Sequence, residues 1–273
     1  MKITLPDDSS RDLPEGSSGF DLAKDIGPGL AKSAVAITVN GEQRDLHDAI
    51  EADASVSIIT IDSDAGIEIM RHTLTAQVLA RAIKNLYPES QLAIGPTIED
   101  GFYYDVETNE TISIDDLQKI EDEMKDIIKT KSSITKKLVS KPEALKIFKS
   151  LKEPYKQEII NDSDQQDDFQ LYYQDQDEFV DLCKGPHLPN LSFIGSFKLT
   201  KVSGAYWQGD SKNNMLTRIY GTAWKNDKDL EKYLNTIEEA VKRDHRKLGK
   251  EMDLFHFQDE APGMVFWHPY GWN

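Results

Sequence analysis

A short loop carries the chemistry around which we expect the fold to be organised, Asp181-Leu182-Cys183-Lys184-Gly185-Pro186-His187. It holds the only cysteine of the 273 residues, and a histidine follows four positions later. A glycine and a proline between these two side chains bend the backbone and turn both toward one pocket. Cys183 and His187 are then either metal ligands or a thiol and a base within hydrogen-bond reach, although a lone cysteine is also commonly a small buried apolar residue. The loop alone leaves these interpretations open.

The composition is that of an ordinary globular protein, with 38% hydrophobic and 29% charged residues. Its length predicts about two domains. No apolar run approaches the roughly 20 residues that cross a bilayer, and the N-terminus lacks the pattern of a secretory signal, so we expect a cytoplasmic protein with no membrane partner. One cysteine excludes an internal disulfide and fits a reducing compartment. The net charge of −16 argues against a protein that coats nucleic acid, but a local basic patch stays possible.

Residues 1–62 have the pattern of a small α+β unit. Segments rich in β-branched residues predict strands at 3–5, 34–39 and 56–60. Asn40-Gly41 is a strong signal for a two-residue hairpin turn, and a short helix is predicted over 20–26. Strands around one helix in this length indicate a β-grasp module, and we find no catalytic constellation in it.

A helix is predicted over residues 67–87, and it carries the second group of candidate site residues. At 100° per residue, His72 lies on the apolar stripe of this helix. Thr73 and Gln77 stack at i and i+4 on another side. A histidine on an apolar stripe is either a site residue or simply a buried side chain.

The segment after this helix has the pattern of an α+β domain with an antiparallel sheet. A hairpin is predicted around Glu99-Asp100-Gly101, and helices are predicted to begin at Ser113 and Ser140. Further strands are predicted at 134–139, 193–202, 204–207 and 215–220. Residues 161–178 are dense in Asp and Gln, and we interpret them as a solvated strand-and-loop region whose acids form a soluble face rather than a metal site.

A long amphipathic helix is predicted over residues 228–249. Its last turns are basic and include Lys242, Arg243, Arg246 and Lys247. These cations either complement the helix dipole or form a patch for a nucleic-acid backbone. The aromatic-rich residues 251–273 end abruptly, and we interpret them as the beginning of a further domain.

Five motifs together point to one family. They are the loop 181–187, Ala93-Ile94-Gly95-Pro96, Gly101-Phe102-Tyr103-Tyr104-Asp105, Gly204-Ala205-Tyr206-Trp207 and Asp253-Leu254-Phe255. With them the entire chain resembles bacterial threonyl-tRNA synthetases. The resemblance implies four consecutive parts: a β-grasp (TGS) domain at 1–62, an α+β editing domain at 63–225, a linker helix at 226–250 and the start of the class II catalytic domain at 251–273.

The resemblance also implies what this chain does not do. The aminoacylation core of the family lies beyond the motifs matched here, so we expect no aminoacylation by this chain alone. The ATP, magnesium and catalytic zinc used by the full-length family belong to that core, and we expect no cofactor here. We expect a homodimer only for the full-length family, which dimerises mainly through the catalytic domain.

The activity that the resemblance implies is editing, the hydrolysis of serine wrongly esterified to tRNA(Thr). Serine lacks one methyl group of threonine, and such a difference is worth only about 1–3 kcal/mol of discrimination, so a second site must remove the error. The implied partners are the acceptor end of tRNA(Thr) and its serine or threonine moiety. Attack of water on the ester requires an oriented water, a base and polar groups that hold the substrate.

The sequence departs from the family at the helix. Family members carry two histidines at i and i+4 that meet the cysteine and histidine of the loop, whereas Ala76 is four residues after His72 here. One residue is inserted relative to the family, and Gln77 takes the place of the second histidine. On a regular helix Thr73 and Gln77 fill the two positions. A π-bulge or a later helix start instead returns His72 to the site.

The candidate site follows from the resemblance, residue by residue. The candidate catalytic residues are His72, Gln77, Lys156, Cys183 and His187. The candidate substrate-binding residues are Thr73, Tyr104 and Asp181, and the candidate tRNA-binding residues are Lys242, Arg243, Arg246 and Lys247. We predict no metal, because a structural zinc site needs four cysteine or histidine ligands and the family's editing site is described as metal-free.

Three functions remain open from sequence. The first is an editing enzyme that acts within a threonyl-tRNA synthetase. The second is an editing-weakened module that binds the tRNA end, in which Thr73 and Gln77 replace the usual histidine pair. The third is a free-standing hydrolase. The direction in which His72 points distinguishes the first from the second.

Overall fold

The structure is a computed structural model that describes residues 1–175 and 178–272. Residues 176 and 177 of the acidic segment 161–178, and the last residue of the predicted segment 251–273, lie outside the described residues. The chain divides into two compact units, Met1–Lys225 and Asn226–Asn273. Within the described ranges, no helix combines the length and the apolar character that a membrane span requires. The α+β fold class is confirmed.

The N-terminal part of the first unit is a five-stranded mixed sheet with the strand order β2-β1-β5-β3-β4. Its elements are β1 Lys2–Thr4, β2 Ser10–Asp12, α1 Gly19–Ile26, α2 Pro28–Ser33, β3 Ala34–Val39, β4 Glu42–Asp45 and β5 Ala54–Thr60. β1 and β5 pair in parallel, and the other pairs are antiparallel. The predicted hairpin turn is present, because Asn40 and Gly41 both have positive φ, 49° and 89°. Leu22 of α1 is fully buried in a core with Ile3 and Ile37.

The predicted helix over 67–87 is present, but it is not regular. It consists of α3 Asp64–Thr73, a π-helical stretch Leu74–Leu79, and α4 Ala80–Leu86. Every residue of the π-helical stretch is buried, and this stretch packs against both β8 and β11, whose bounds are given below. A wide turn of this kind accommodates one residue more than a regular turn. It therefore rotates the side chains of α3 about the helix axis relative to those of α4.

Two antiparallel sheets complete the first unit. The larger has the order β12-β13-β8-β6 with β7 paired to β8, and the smaller has the order β11-β10-β9. Their elements, with the intervening helices, are β6 Gln91–Leu92, β7 Thr97–Ile98, β8 Gly101–Glu107, α5 Leu117–Lys129, β9 Ile134–Val139, α6 Lys141–Ser150, α7 Pro154–Asp162, β10 Phe169–Gln174, β11 Phe179–Leu182, β12 Ser196–Tyr206 and β13 Met215–Trp224.

Two sequence interpretations need correction here. The segment 161–178 is not wholly solvated, because β10 is the central strand of its sheet and buries Phe169, Leu171 and Tyr173 against α6 and α7 residues. The acids before this strand, at 162, 164, 167 and 168, are exposed, as predicted, whereas Asp175 after it is partly buried. The two strands predicted at 193–202 and 204–207 are one long strand, β12, because Gly204 continues the pairing with β13.

The second unit contains α8 Asp227–Lys242, α9 His245–Glu251 and a hairpin of β14 Phe255–His256 with β15 Phe266–Trp267. The prediction of one continuous helix over 228–249 is wrong at residues 243–244. There Arg243 leaves the helical conformation and the Asp244 carboxylate accepts the Arg246 N–H, starting a new helix. Aspartate is a preferred N-cap residue, so it favours a break that apolar periodicity alone does not reveal.

Candidate functional site

Three side chains predicted for the site meet in the first unit. His72 Nε2 lies 2.8 Å from Cys183 Sγ. The His72 and His187 rings stack with their centroids 4.6 Å apart. His187 is buried, whereas His72 and Cys183 are partly exposed. The structure therefore turns His72 toward the loop and not into an apolar core.

The π-helical stretch accounts for this placement. His72 and Thr73 end α3 immediately before the wide turn, so both reach the loop from adjacent positions. Thr73 Oγ1 lies 3.1 Å from His187 Nδ1 and accepts the Leu188 N–H at 3.0 Å. Of the two geometries predicted from sequence, the π-bulge that returns His72 to the site is the one present, and Thr73 joins it.

Gln77 lies on the far side of the wide turn and has different partners. Gln174 Nε2 donates to the Gln77 backbone carbonyl at 2.6 Å and to Gln77 Oε1 at 3.1 Å. Gln77 is fully buried, and its Nε2 has no hydrogen-bond partner within the described part of the chain. The structure thus does not bring Gln77 into contact with the His72–Cys183 pair. The Gln77 Nε2 group remains a buried hydrogen-bond donor without a partner among the described residues.

The loop is held in its bend by a close contact at Gly185. This residue has a φ of +61°, and a Cβ added to it would lie 1.9 Å from the Tyr172 hydroxyl oxygen. Only glycine fits both the backbone conformation and the space. The Tyr172 ring also packs edge-on against the His187 ring, with centroids 4.3 Å apart. The bend predicted from Gly185-Pro186 is therefore real, and Tyr172 fixes it.

A second buried cluster joins the remaining predicted residues. Lys156 Nζ lies 2.6 Å from Asp181 Oδ1, and the two side chains are 3% and 2% exposed. The Tyr104 hydroxyl donates to Asp181 Oδ2 at 3.2 Å. α7 supplies Lys156, the end of β11 supplies Asp181, and β8 supplies Tyr104. Asp181 is two residues before Cys183, so the end of β11 connects this cluster to the group formed by His72, Cys183 and His187.

Two small clefts open onto the site. One, of 270 Å³, is lined by residues that include Gln43, His72, Pro96 and Gly185. The other, also of 270 Å³, is lined by residues that include Asp45, Lys136, Tyr172 and His187. Both clefts have walls from the N-terminal sheet as well as from the region after α3. Cavities of this size accept an amino-acid side chain and a few waters.

The chain is similar to known proteins over nearly its whole length. The TGS domain family matches residues 1–60, and the threonyl and alanyl tRNA synthetase second additional domain matches residues 170–220, which include Asp181, Cys183 and His187. Over 271 residues, 99% of the chain, it is 51% identical to the threonine–tRNA ligase of Prochlorococcus marinus and 50% identical to those of Saccharophagus degradans and Teredinibacter turnerae. The chain corresponds to the N-terminal region of threonine–tRNA ligases. It spans 42% of the length of each of these relatives.

Burial keeps the first cluster, which consists of His72, Cys183 and His187, uncharged. Burial lowers the pKa of His72 to about 4 and, together with the neighbouring His72, holds the pKa of His187 well below its ordinary value. Burial also raises the pKa of the Cys183 thiol to about 11. At neutral pH both imidazoles are therefore uncharged and the sulfur is a thiol, which donates to His72 Nε2.

In the second cluster, burial raises the pKa of Asp181 while the Lys156 ammonium opposes that rise. The carboxylate accepts hydrogen bonds from Lys156, from Tyr104 and from the Leu182 N–H, a set that favours the ionised form. We therefore treat Lys156 and Asp181 as a buried ion pair. Burial and the Asp181 charge raise the pKa of Tyr104, so its hydroxyl keeps its proton.

The ligand atoms of His72, Cys183 and His187 lie within 4.8 Å of one another, so these residues could hold a metal ion. Two imidazoles and a thiol are a donor set that zinc accepts. A tetrahedral zinc ion keeps a nitrogen and a sulfur ligand about 3.5 Å apart. The 2.8 Å between His72 and Cys183 is instead a hydrogen-bond separation, and no further His, Cys, Asp or Glu joins the group in the described ranges. A metal would require the cluster to open.

The candidate tRNA-binding residues lie in the second unit, and each is near an acid. The pairs are Lys242 with Glu238 and Glu239, Arg243 with Glu239, Arg246 with Asp244, and Lys247 with Glu251. All four cations are exposed. Their charge is largely compensated in place, so their role in tRNA binding stays a prediction.

Sequence reasoning missed three residues that shape the site: Asp45, Tyr172 and Gln174. Tyr172 and Gln174 lie on β10, in the segment that was interpreted as mostly solvated. Alternation along this strand, with apolar or aromatic residues at 169, 171 and 173, was the available signal for a buried strand. Asp45 reaches the loop across 142 positions of sequence, and no local pattern identifies such a contact.

Proposed function

We propose that this ligase region hydrolyses the ester of serine misattached to tRNA(Thr). The observation that carries the proposal is the meeting of His72, Cys183 and His187, despite a helix sequence that puts alanine where the second histidine is expected. The match of residues 170–220 to the second additional domain of threonyl and alanyl tRNA synthetases supports the same reaction class.

His187 is the group that we assign as the general base. In the tautomer whose Nδ1–H donates to Thr73 Oγ1, the Nε2 lone pair is free, and Nε2 has no partner within the described residues. Because its pKa is depressed, the imidazole is uncharged at neutral pH and is able to accept a proton from a water molecule. That water attacks the carbonyl carbon of the ester, and the His187 imidazolium then gives the proton to the ribose oxygen as the bond between carbon and ribose oxygen breaks.

Cys183 positions His72 in this proposal and does not attack the ester. A cysteine nucleophile must be a thiolate, and a thiol with a pKa of about 11 supplies very little thiolate at neutral pH. The Cys183 thiol instead donates a hydrogen bond to His72 Nε2 and so fixes the orientation of the ring. The Nδ1–H of His72 then remains as a donor for the substrate. Loss of Cys183 should therefore weaken the reaction less than loss of His187.

The Lys156–Asp181–Tyr104 cluster is the part that we assign to holding the substrate. Lys156 and Tyr104 both donate to Asp181, which fixes the ammonium and the hydroxyl that we assign to the polar groups of the aminoacyl ester. We propose that the reaction uses no metal ion, because His72 Nε2 and Cys183 Sγ lie at a hydrogen-bond separation of 2.8 Å, closer together than two ligands of one zinc ion. Stoichiometric zinc found by elemental analysis of the purified chain would overturn this part.

A second candidate function rests on Gln77. This residue stands in for a family histidine, and its open Nε2 donor suits binding of a carbonyl or hydroxyl more than proton transfer. The region would then bind the acceptor end of tRNA(Thr) without efficient hydrolysis. Aminoacylation by the longer ligase is a property of the relatives' full length and is not proposed for this chain alone.

The deciding experiment measures deacylation of seryl-tRNA(Thr) and threonyl-tRNA(Thr) by the purified chain. We expect serine-specific hydrolysis that His187→Ala abolishes. A Lys129→Ala variant, which alters an exposed pair distant in sequence from all site residues, is the control. Deacylation no faster than the spontaneous rate, with binding of tRNA(Thr) intact, would favour the second candidate.

A further inference from the structure

The N-terminal sheet contributes one side chain to the editing loop. Asp45 is the last residue of β4, beyond the Asn40-Gly41 turn, and its side chain is 14% exposed. Its Oδ1 accepts the backbone N–H of His187 at 2.8 Å. A residue of the matched TGS segment 1–60 therefore holds the backbone of a residue in the candidate site.

The other carboxylate oxygen of Asp45 fixes a neighbour of the same imidazole. Asp45 Oδ2 accepts from the Tyr172 hydroxyl at 2.7 Å and from Lys136 Nζ at 2.9 Å. The Tyr172 ring packs edge-on against His187, and its hydroxyl occupies the space beside Gly185. The Asp45 carboxylate thus holds both the backbone N–H of His187 and the tyrosine ring that packs against the His187 imidazole.

These contacts act together with those from α3. The Leu188 N–H is held by Thr73, and the His187 N–H is held by Asp45, so two successive amides of the loop are bound from opposite domains. A loop amide held by a charged acceptor is fixed more firmly than one held by water. Asp45 reaches neither His187 Nε2 nor Cys183 Sγ by any hydrogen bond in the described residues, so it cannot itself transfer the proton.

We propose that Asp45 is a positioning residue for the editing reaction, and that the N-terminal sheet is thereby a structural part of the site. This inference rests on the proposed function for its catalytic consequence, but its structural consequence is independent. Removing the carboxylate frees the loop and lets His187 move relative to the ester. Displacements of about 1 Å in a catalytic group commonly cost about 100-fold in rate.

The test compares Asp45→Ala and Asp45→Asn with Asp48→Asn in the complete chain. Asp48 shares Lys136 with Asp45 but does not bond to the loop, so its variant controls for loss of an acid at the same place. Asparagine at position 45 keeps one oxygen that is able to accept from the His187 N–H. It therefore retains the loop contact if the domains dock as they do here.

Two readouts are used. For hydrolysis of seryl-tRNA(Thr), we expect kcat to fall by about 10- to 100-fold in Asp45→Ala with KM within about threefold, by less in Asp45→Asn, and not at all in Asp48→Asn. For the amide of His187, we expect hydrogen exchange to accelerate by at least tenfold in Asp45→Ala, while amides of β3 and β5 exchange as before.

The outcomes separate the two ideas. If the unaltered chain does not hydrolyse the ester, the proposed function fails, and the exchange readout alone still tests the positioning role. Unchanged exchange at His187 in Asp45→Ala overturns the positioning role, whatever the rates. Equal losses of kcat in Asp45→Ala and Asp48→Asn would also overturn it, since they would show a general effect of charge at this surface. Faster exchange that spreads through β3 and β5 would mean that Asp45 only stabilises the sheet, and overturns it too.

Discussion

The buried pair of Lys156 and Asp181 gives a stability prediction whose size follows from the structure. The two charges are 2.6 Å apart and almost completely buried. Asp181→Asn keeps the shape of the side chain but leaves the Lys156 ammonium without a counter-charge. Breaking a buried pair in this way costs about 3–5 kcal/mol. At about 2–4 °C per kcal/mol for a unit of this size, the melting temperature should fall by about 6–20 °C.

The assay is thermal unfolding followed by circular dichroism, with two comparison variants. Asp126→Asn removes one member of an exposed pair, Lys129 and Asp126, that has a similar separation of 2.7 Å. It should lower the melting temperature far less than Asp181→Asn does, because exposed pairs contribute little. The double variant Lys156→Met with Asp181→Asn removes both charges and should recover most of the loss. An Asp181→Asn variant that melts no lower than Asp126→Asn would refute the assignment of a buried ion pair.

Three further predictions concern His72, the loop and Gln77. The pKa of His72 is lowered to about 4 in the folded chain, so the unfolded chain binds a proton at higher pH than the folded chain does. The free energy of unfolding should therefore decrease by about 3 kcal/mol from His72 alone between about pH 6.5 and pH 4. Denaturant melts at pH 7 and pH 4.5 measure this decrease, and His72→Gln should remove the contribution of His72 to it. Gly185→Ala should lower the free energy of unfolding by more than about 1 kcal/mol and slow deacylation. Gly209 has a similar positive φ but open space around it, so Gly209→Ala should show only the cost of backbone strain. Denaturant melts of the two variants measure the difference. Gln77→Leu should weaken binding of seryl-tRNA(Thr) by about tenfold or more with little loss of stability, because the second candidate function assigns the unpaired Gln77 Nε2 donor to the substrate and a buried unsatisfied donor costs about 1–3 kcal/mol. Binding as tight as that of the unaltered chain would exclude Gln77 from the substrate site.

Much of the fold could be predicted from the sequence because its signals are local. The Asn40-Gly41 hairpin and the strand at 134–139 depend on turn chemistry and alternation, and both are where they were expected. The helix over 67–87 depends on apolar periodicity, and it is also present. The break at residues 243–244 was missed because a capping aspartate competes with that periodicity within a single turn.

The direction of His72 could not be predicted from periodicity. A regular helix and a π-helical stretch have the same composition, and the choice between them depends on how residues 74–79 pack against β8 and β11. One extra residue in the turn rotates His72 and Thr73 relative to Gln77, which decides which side chains meet the loop. Such a choice is made by tertiary packing.

The partners of the loop were equally hidden. Asp45 and Tyr172 reach His187 from 142 and 15 positions away in the sequence, and each looks unremarkable among its neighbours. Sequence resemblance supplied the residues that carry chemistry, whereas the side chains that hold them in place emerged only from the folded chain.

The most direct test of the account is a single-turnover comparison of seryl-tRNA(Thr) hydrolysis by the unaltered chain, His187→Ala and His72→Ala. We assign proton abstraction to His187 and orientation of the substrate to His72. We therefore expect serine-specific hydrolysis at least about 100-fold above the spontaneous rate, its loss in His187→Ala, and a smaller loss in His72→Ala. Full activity in His187→Ala, or no hydrolysis by the unaltered chain while it still binds tRNA(Thr), would contradict it.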